Sequence, residues 1–342
     1  MLKIIFYILI SIAILLFFTA LFVYLYYIKR ARKIDEKVLN ININIKNNFD
    51  DFKVHNPYDY EGKYFKAQLH SHTKESDGKL EVNELIKEYK NRGYDFLAIT
   101  DHDKITINKE YDDNNFKTIT GEELTVINPF WPLGRHLNRI GVKKRSKYNK
   151  LKDVDKVLNQ NNITVINHPA TESGLGTQRW DIDKLLELEN IKFIEIANHF
   201  SDQMINMKYW HILLNKYGNQ SPIWGLAVDD AHNIDDIDKN WIMVKADNFT
   251  EKDLLKALTR GSFYSTQGPE VEFFVEDNII NVTSNTSYEI SFYGGDNKLL
   301  KSKSGFNADY KPKGNEDFIR LEIVDKDKNK KLWSQPFWLY NN

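Results

Sequence analysis

The chain has no cysteine among its 342 residues. Disulfides, thiolate zinc sites and cysteine nucleophiles are thereby excluded, and any metal chemistry has to use imidazole and carboxylate. Excess charge is missing too: 47 Lys and Arg stand against 48 Asp and Glu, for a formal net charge of −1. A global basic signature is thus absent, which argues against a nucleic-acid partner while leaving room for a local basic patch. No repeat of solenoid period runs through the sequence. What is present suffices for a folded core, with 42% hydrophobic and 28% charged residues.

From Ile4 to Ile28 no residue is charged, and Ile, Leu and Phe dominate. A helix of that length, rising about 1.5 Å per residue, covers a hydrocarbon core of roughly 30 Å with some tilt. Tyr24, Tyr26 and Tyr27 gather at its far end, where amphipathic rings favour the headgroup layer. Residues 1–28 therefore read as a single-pass membrane anchor. The competing reading, a cleaved signal peptide, calls for a shorter apolar stretch and a small-x-small site, whereas Ala20 is followed by more apolar residues. The side of the membrane stays open. Lys29, Arg30, Arg32 and Lys33 after the span favour a cytoplasmic body, but short basic tails such as the one bearing Lys3 commonly stay inside and export the chain beyond the span.

Residues 29–60, rich in Lys, Asn and Asp with an alternating Val38–Ile45 stretch, read as a polar tether. From Tyr64 onward strand-like and helix-like patterns alternate. Phe65–Leu69, Phe96–Ile99, Ile163–Ile166, Phe193–Ile196 and Ile223–Val228 are short apolar runs that predict buried strands. Val82–Tyr89, Leu151–Asn159, Ile182–Leu188, Met204–Tyr217 and Glu251–Thr259 carry helical patterns, the last ending at Gly261. Such alternation predicts an α/β domain with a parallel sheet over 61–268. Past Gly268-Pro269 the runs Val271–Val275, Ile279–Val282, Tyr288–Phe292, Phe318–Ile323 and Leu332–Leu339 predict a small antiparallel β-sandwich over 269–342.

Ligand-type residues recur where these strands end. His70 and His72 lie two apart, so both imidazoles leave one face and can reach one ion. Asp77 comes next, in the turn Ser76-Asp77-Gly78, and the next strand ends in Thr100-Asp101-His102-Asp103. Glu122 and Glu123, His168 in Asn167-His168-Pro169, and Asp230-Ala231-His232 close later runs. The C-terminal edge of strands is where α/β folds build their sites, so these separate observations converge on one rim.

His70-Ser71-His72 with Asp77, then Thr100-Asp101-His102, resembles the opening motifs of the polymerase-and-histidinol-phosphatase (PHP) superfamily. Gly121-Glu122-Glu123 is similar to its Gly-x-Glu element, and His136 in Arg135-His136-Leu137 to its Gly-His element, with Arg135 replacing the usual Gly. Asn167-His168-Pro169, Ile194-Glu195-Ile196-Ala197-Asn198 and Asp230-Ala231-His232 resemble the later motifs. Arg260–Pro269 and Trp333-Ser334-Gln335-Pro336 look like the branch that includes carbaryl hydrolase, whose members append a β domain. The resemblance implies a distorted (β/α)7 barrel and up to three divalent ions (Zn, Mn or Fe). It also implies hydrolysis, by a metal-bound hydroxide, of a small-molecule phosphoester or of a carboxylic ester or carbamate. Carried over, His70, His72, Glu123 and Asp230 would hold one ion, Glu123 with His136 and His168 a second, and Asp77, His102 and His232 a third. A nuclease of the same chemistry and a non-catalytic, membrane-tethered binding module are the rival readings, and no obligate protein partner is implied.

Other residues carry weaker signals. His199 could protonate a leaving group or be an exposed helix-start histidine, and Lys74 could neutralise a phosphate oxygen or be solvated. Asp101 and Asp103 could orient His102 or serve the turn. Glu195 and Asn198 read as pocket residues, and the basic insertion Lys143–Lys152 as a solvated loop or an anion contact. His55 and His211 have no supporting company and receive no role.

Overall fold

The charge-free segment is the first part of one long helix, α1 (Leu2–Asn40). The computed structural model describes residues 2–341 except 45–46, 107–108, 129–130, 132, 161, 172 and 174–177. Side chains from Ile4 to Tyr26 stand exposed, and the helix is long and apolar enough to be a candidate membrane span. Its second part differs. Ala31, Ile34 and Val38, spaced by three and four residues, are buried against the body. Within the stretch read as a polar tether, the helical part is thus packed on the body through Ala31, Ile34 and Val38, which fall on one helical stripe. Beyond it, Phe49 and Tyr58 are buried, and β1 (Phe52–Val54) pairs antiparallel with the last strand, β16 (Phe337–Asn341).

The fold is mixed α/β around one large sheet. β2 (Lys63–Gln68), β3 (Phe96–Ile99) and β4 (Lys117–Ile127) run parallel. So do β6 (Ile163–Ile166), β7 (Phe193–Asn198) and β8 (Trp224–Val228). Between these two sets β5 (Gly134–Ile140) is antiparallel to both neighbours. β9 (Trp241–Ala246) is antiparallel to β2 and to β10 (Phe263–Thr266). The helices are α2 (Val82–Asn91), α3 (Val154–Leu158), α4 (Ile182–Glu187), α5 (Gln203–Tyr217) and α6 (Glu251–Arg260). Gly261 closes α6 at φ 74°, a left-handed position that glycine adopts without strain.

The remaining strands, β11 (Glu272–Glu276), β12 (Ile279–Gly294), β13 (Leu299–Tyr310), β14 (Phe318–Asp325), β15 (Lys330–Trp333) and β16, pair only antiparallel. Two expected short strands, Ile279–Val282 and Tyr288–Phe292, are one strand whose register shifts between Thr283 and Tyr288. The run Leu332–Leu339 instead breaks into two at Ser334–Pro336. That break has a use. Gln335 accepts from Gly225 N–H at 3.0 Å and donates to its carbonyl at 2.8 Å, while Ser265 Oγ donates to the same carbonyl. The C-terminal strands are thus stitched to β8 and, through the β10–β15 pairing, to the rest of the sheet.

Candidate metal centre

The site forms where strands end and their backbones need new partners. Past β2, Gln68 Oε1 accepts from the N–H groups of Leu69, His70 and Asp229, which ties two strand ends together. Isolated bridges join Ser71 to Ala231 and His102 to Glu123. Three non-glycine residues there sit at positive φ, Asp103 at 49°, His168 at 24° and Asp230 at 55°. Such conformations cost on the order of 1–3 kcal/mol and persist where surrounding contacts enforce them.

Glu123 is the hub. It is 1% exposed, and its Oε2 lies 3.4 Å from His70 Nε2, 3.2 Å from His72 Nε2 and 3.1 Å from His102 Nδ1. Oε1 lies 3.0 Å from His136 Nδ1 and 3.2 Å from His168 Nε2. Asp230 Oδ1 lies 3.1 Å from Nε2 of both His70 and His72, whose nitrogens are themselves 3.1 Å apart. Asp77, half-exposed at the open end, sits 3.5 Å from His102 and 3.5 Å from His232.

All nine residues expected as ligands are thus drawn into one region. Three sets have ligating atoms within 4.8 Å of one another: His70, His72, Glu123 and Asp230; His72, Asp77, His102 and His232; and His102, Glu123 and His136. His72 and His102 therefore join sets in which the motifs alone did not place them. His168 joins none, although its Nε2 reaches both Glu123 and, at 4.0 Å, Asp230. The donor set suits a hard or borderline divalent cation. One further feature fits such a cation: His136 Nδ1, buried and 3.0 Å from Glu123 Oε1, has no well-aligned hydrogen bond, so this nitrogen can turn to a cation beside that carboxylate.

The electrostatics follow from the crowding. Burial alone would push the His70 imidazole down, but Asp230, Glu123 and Glu195 outweigh it and hold it well above the ordinary value. His72, His102, His168 and His232 are raised in the same way, each against its own burial. His136 is lowered, because burial wins over Glu123. Glu123 and Asp230 stay well below the carboxylate range despite full burial, since histidines surround them.

A supporting layer fixes these groups. Glu195 Oε1 lies 2.7 Å from His70 Nδ1, and its Oε2 accepts from His168 N–H at 2.7 Å. Asn198 donates to Glu195 and to Asp230, and Asn167 donates to Glu123 Oε1 at 2.7 Å. Glu195 and Asn198 are thus orienting residues. Their motif was visible, but their partners are remote in sequence. Asn167 stands in the Asn167-His168-Pro169 motif without a role legible from sequence, and no sequence signal marks Gln68. Asp229 accepts from the N–H groups of Asp238, Lys239 and Asn240 and from the Tyr89 hydroxyl, and burial pushes it up to about 6.

Neither Asp101 nor Asp103 orients His102. Asp101 accepts from Thr73 N–H at 2.7 Å and Ser76 Oγ at 2.8 Å, bracing the loop that carries Asp77. Asp103 accepts from Thr125 N–H and the Trp131 indole. Lys74 is paired with Glu81 in solvent, and His199 is exposed, 3.9 Å from Asp236. Glu122 faces away from Glu123, engaging Arg139 and Ser146 N–H, with Arg145 of the basic insertion 3.9 Å off. His211 is buried against Arg320 and belongs to none of the three sets. A cavity of about 310 Å³ opens over the cluster, lined further by Lys79, Thr171, Gln178 and Phe200.

The profile of the PHP domain matches residues 68–298. The chain belongs to the PHP-domain family. Every residue of the cluster lies inside the matched stretch. Among solved structures, a two-domain protein containing a predicted PHP-like metal-dependent phosphoesterase from Bacteroides vulgatus ATCC 8482 shares 14% identity over 83% of this chain and 93% of its own, at a TM-score of 0.46. PsfC from Pseudomonas syringae PB-5123 shares 13% over 57% and 87%, at 0.40. An amidohydrolase from Chromobacterium violaceum, with bound sulfate and no metal, shares 13% over 49% and 87%, at 0.35. No curated protein matches the chain.

Proposed function

We propose that this PHP-domain chain hydrolyses phosphoesters at a divalent-metal centre while anchored in a membrane by α1. The observation that carries the reading is the sharing of Glu123: five imidazoles lie within 3.4 Å of its two oxygens. A carboxylate so placed can bridge cations, whereas buried unpaired charge and lone pairs in such number would be costly without them.

We assign one ion to His70, His72, Glu123 and Asp230, a second to Glu123, His136 and His168, and a third to Asp77, His102 and His232. Divalent ions of the Zn, Mn or Fe type supply Lewis acidity there and lower the pKa of water toward neutrality. The protein's part is positional. Glu195 accepts from the Nδ1–H of His70, which leaves Nε2 as the ligand atom. Asn167 and Asn198 hold Glu123 and Asp230 in fixed orientation. Lys79, which lines the cavity, is better placed than Lys74 to meet a phosphate oxygen.

The catalytic unit is proposed to span 61–268 as a distorted seven-strand barrel, with 269–342 as a small sandwich. The anchor reading is supported by the continuity of α1: its exposed apolar part runs straight into the buried stripe of Ala31, Ile34 and Val38. A carboxylic ester or carbamate is the second substrate class. Its support is that the two segments resembling the carbaryl hydrolase branch are partners, Ser265 opposite Trp333 in the sheet.

Elemental analysis of the purified chain, together with turnover on phosphomonoesters, phosphodiesters and aryl esters, tests the proposal. Metal in excess of one equivalent with phosphoester turnover is the expected result. A metal-free preparation that stays inactive after loading with Zn, Mn and Fe would refute it.

A further inference from the structure

We infer that the phosphoester taken by this site is carried by a lipid of the same bilayer that holds α1, because the cavity mouth faces that bilayer. The inference rests on the phosphoesterase and anchor readings above. Its foundation is the way α1 is fastened to the loop that lines the cavity.

Arg179 is buried, and its guanidinium donates to the carbonyls of Thr171 at 3.1 Å and Ala170 at 2.8 Å. The same guanidinium is ion-paired with Asp35 of α1. Ala170 N–H in turn donates to Asn206, in the first turn of α5. Asp35 therefore stands level with the end of β6, where Thr171 lines the cavity.

Residues 41–44 set the direction. The Ile41 carbonyl accepts from Lys208 at 2.7 Å, and the Asn44 carbonyl from Asn215. From 35 to 44 the chain thus passes α5 in the direction in which α5 itself runs, away from the cavity edge at which α5 begins. Before Asp35 the helix therefore runs toward that edge, still packed on the body through Ile34 and Ala31 and fully exposed from Tyr26 back to Ile4. Ile28, the last residue of the charge-free segment, precedes Asp35 by about 10 Å of helix at about 1.5 Å per residue. The headgroup layer is on the order of 5–8 Å thick on each side. A cavity edge so close to the span lies at the headgroup surface. No loose linker intervenes, since Ala31, Ile34 and Val38 are buried and Lys37 pairs with Asp183 of α4.

The segments beyond the strand ends suit that position. Trp131, Phe200, Met204 and Ile234, which follow β4, β7 and β8, expose apolar surface, and Phe200 lines the cavity itself. Trp131 anchors its indole N–H on Asp103 at 3.1 Å, and Phe200 stands edge-on to His232 at 5.5 Å. Lys29, Arg30, Arg32 and Lys33 fall at headgroup height and attract anionic lipid. In the reaction a water oxygen bonds to phosphorus and the ester P–O bond breaks. The electron pair stays on the lipid oxygen, which takes a proton from the water.

The test uses the full chain, metal-loaded, in phosphatidylcholine vesicles. Because the chain lacks cysteine, Met204→Cys and Lys216→Cys each give one labelling site, about 18 Å apart along α5. A fluorophore at 204 should be quenched several times more strongly by headgroup-quencher lipids than one at 216. Equal or reversed quenching overturns the geometry. Turnover is then compared for phosphatidic acid with glycerol 3-phosphate, and for phosphatidylglycerol with glycerophosphoglycerol. At least about a tenfold preference for a lipid-borne ester is expected from its effective concentration. A seven-residue helical insert after Ile28 lifts the body by about 10 Å and should abolish that preference while leaving the soluble ester unchanged. Equal turnover of lipid and soluble ester overturns this inference and leaves the phosphoesterase reading standing. No turnover of any ester at full metal content overturns both, and a mature mass lacking residues 1–28 overturns the anchor and this inference with it.

Discussion

Glu195 Oε1 lies 2.7 Å from His70 Nδ1, with both side chains fully buried. A carboxylate can only accept, so it fixes the proton on Nδ1 and frees Nε2 toward Glu123 and Asp230. In Glu195→Gln the amide can donate instead, which favours the tautomer with its proton on Nε2 and spoils the ligand. Metal affinity should fall roughly 10–100-fold while the fold survives. Titration with metal, alongside circular dichroism, checks this. An unchanged affinity would remove Glu195 from the centre.

His102→Ala separates the two sets that His102 joins. It removes contacts of 3.1 Å to Glu123 and 3.5 Å to Asp77, so the variant should lose at least one metal equivalent and most of its turnover. Elemental analysis of wild type and variant prepared in parallel decides the matter, and full occupancy with full turnover would contradict the assignment.

Much of this was legible because ligand spacing is local. His70 and His72 advertise a shared face within three residues, and the apolar runs Phe96–Ile99 and Ile163–Ile166 coincide with β3 and β6. Contacts between distant segments were not legible. Glu195 stands in a visible motif, yet its partner is 125 positions away. Asp101 could by sequence serve either its neighbour His102 or the turn; adjacent residues in extended chain face opposite ways, and Asp101 turns to Thr73. β13 is not legible because Lys and Ser alternate over Lys301–Ser304 and its apolar residues form no run longer than Leu299-Leu300; pairing with β12 holds it instead. The docked end of α1 was hidden by composition, since three buried residues among many charges still make a stripe.

Asp101→Ala should loosen the loop from Thr73 to Asp77. The variant loses the acceptor for Thr73 N–H and for Ser76 Oγ, so Asp77 is no longer held near His102 and His232. Loss should fall on the ion assigned to Asp77, His102 and His232, leaving the buried set of His70, His72, Glu123 and Asp230 filled. Metal content measured against chelator concentration distinguishes this from uniform loss, which would show that Asp101 merely stabilises the fold.

Metal binding should strengthen as pH rises. In the metal-free protein Asp230, Glu123 and Asp77 raise His70, His72, His102, His168 and His232 above the ordinary value near 6.5. Their ion pairs contribute stability that is complete below that value and is lost as pH climbs through the raised ones. Cations compete with those same protons. The metal-induced rise in melting temperature should therefore grow as pH climbs above about 6.5, the ordinary imidazole value. Paired melting curves with metal and with chelator measure it, and a flat difference would contradict the proton competition.

His211 titrates with the opposite sign. It is buried, and burial together with Arg320 and Lys208 lowers it well below the ordinary value, so it stays neutral and accepts from Arg320 Nε at 2.5 Å. A base depressed in the folded state binds fewer protons than the unfolded chain, so stability is lost as pH falls below about 6.5. His211→Asn offers an acceptor that does not titrate, and should flatten that acid limb. His211→Leu leaves the Arg320 guanidinium with one buried donor unpaired and should cost about 1–3 kcal/mol at neutral pH. Urea melts of the chelated protein from about pH 5 to about pH 8 read both effects. Since His211 lies outside the metal cluster, metal affinity at neutral pH should not move in the Asn variant. A parallel loss of metal would show that the Arg320 pair reaches the centre through α5.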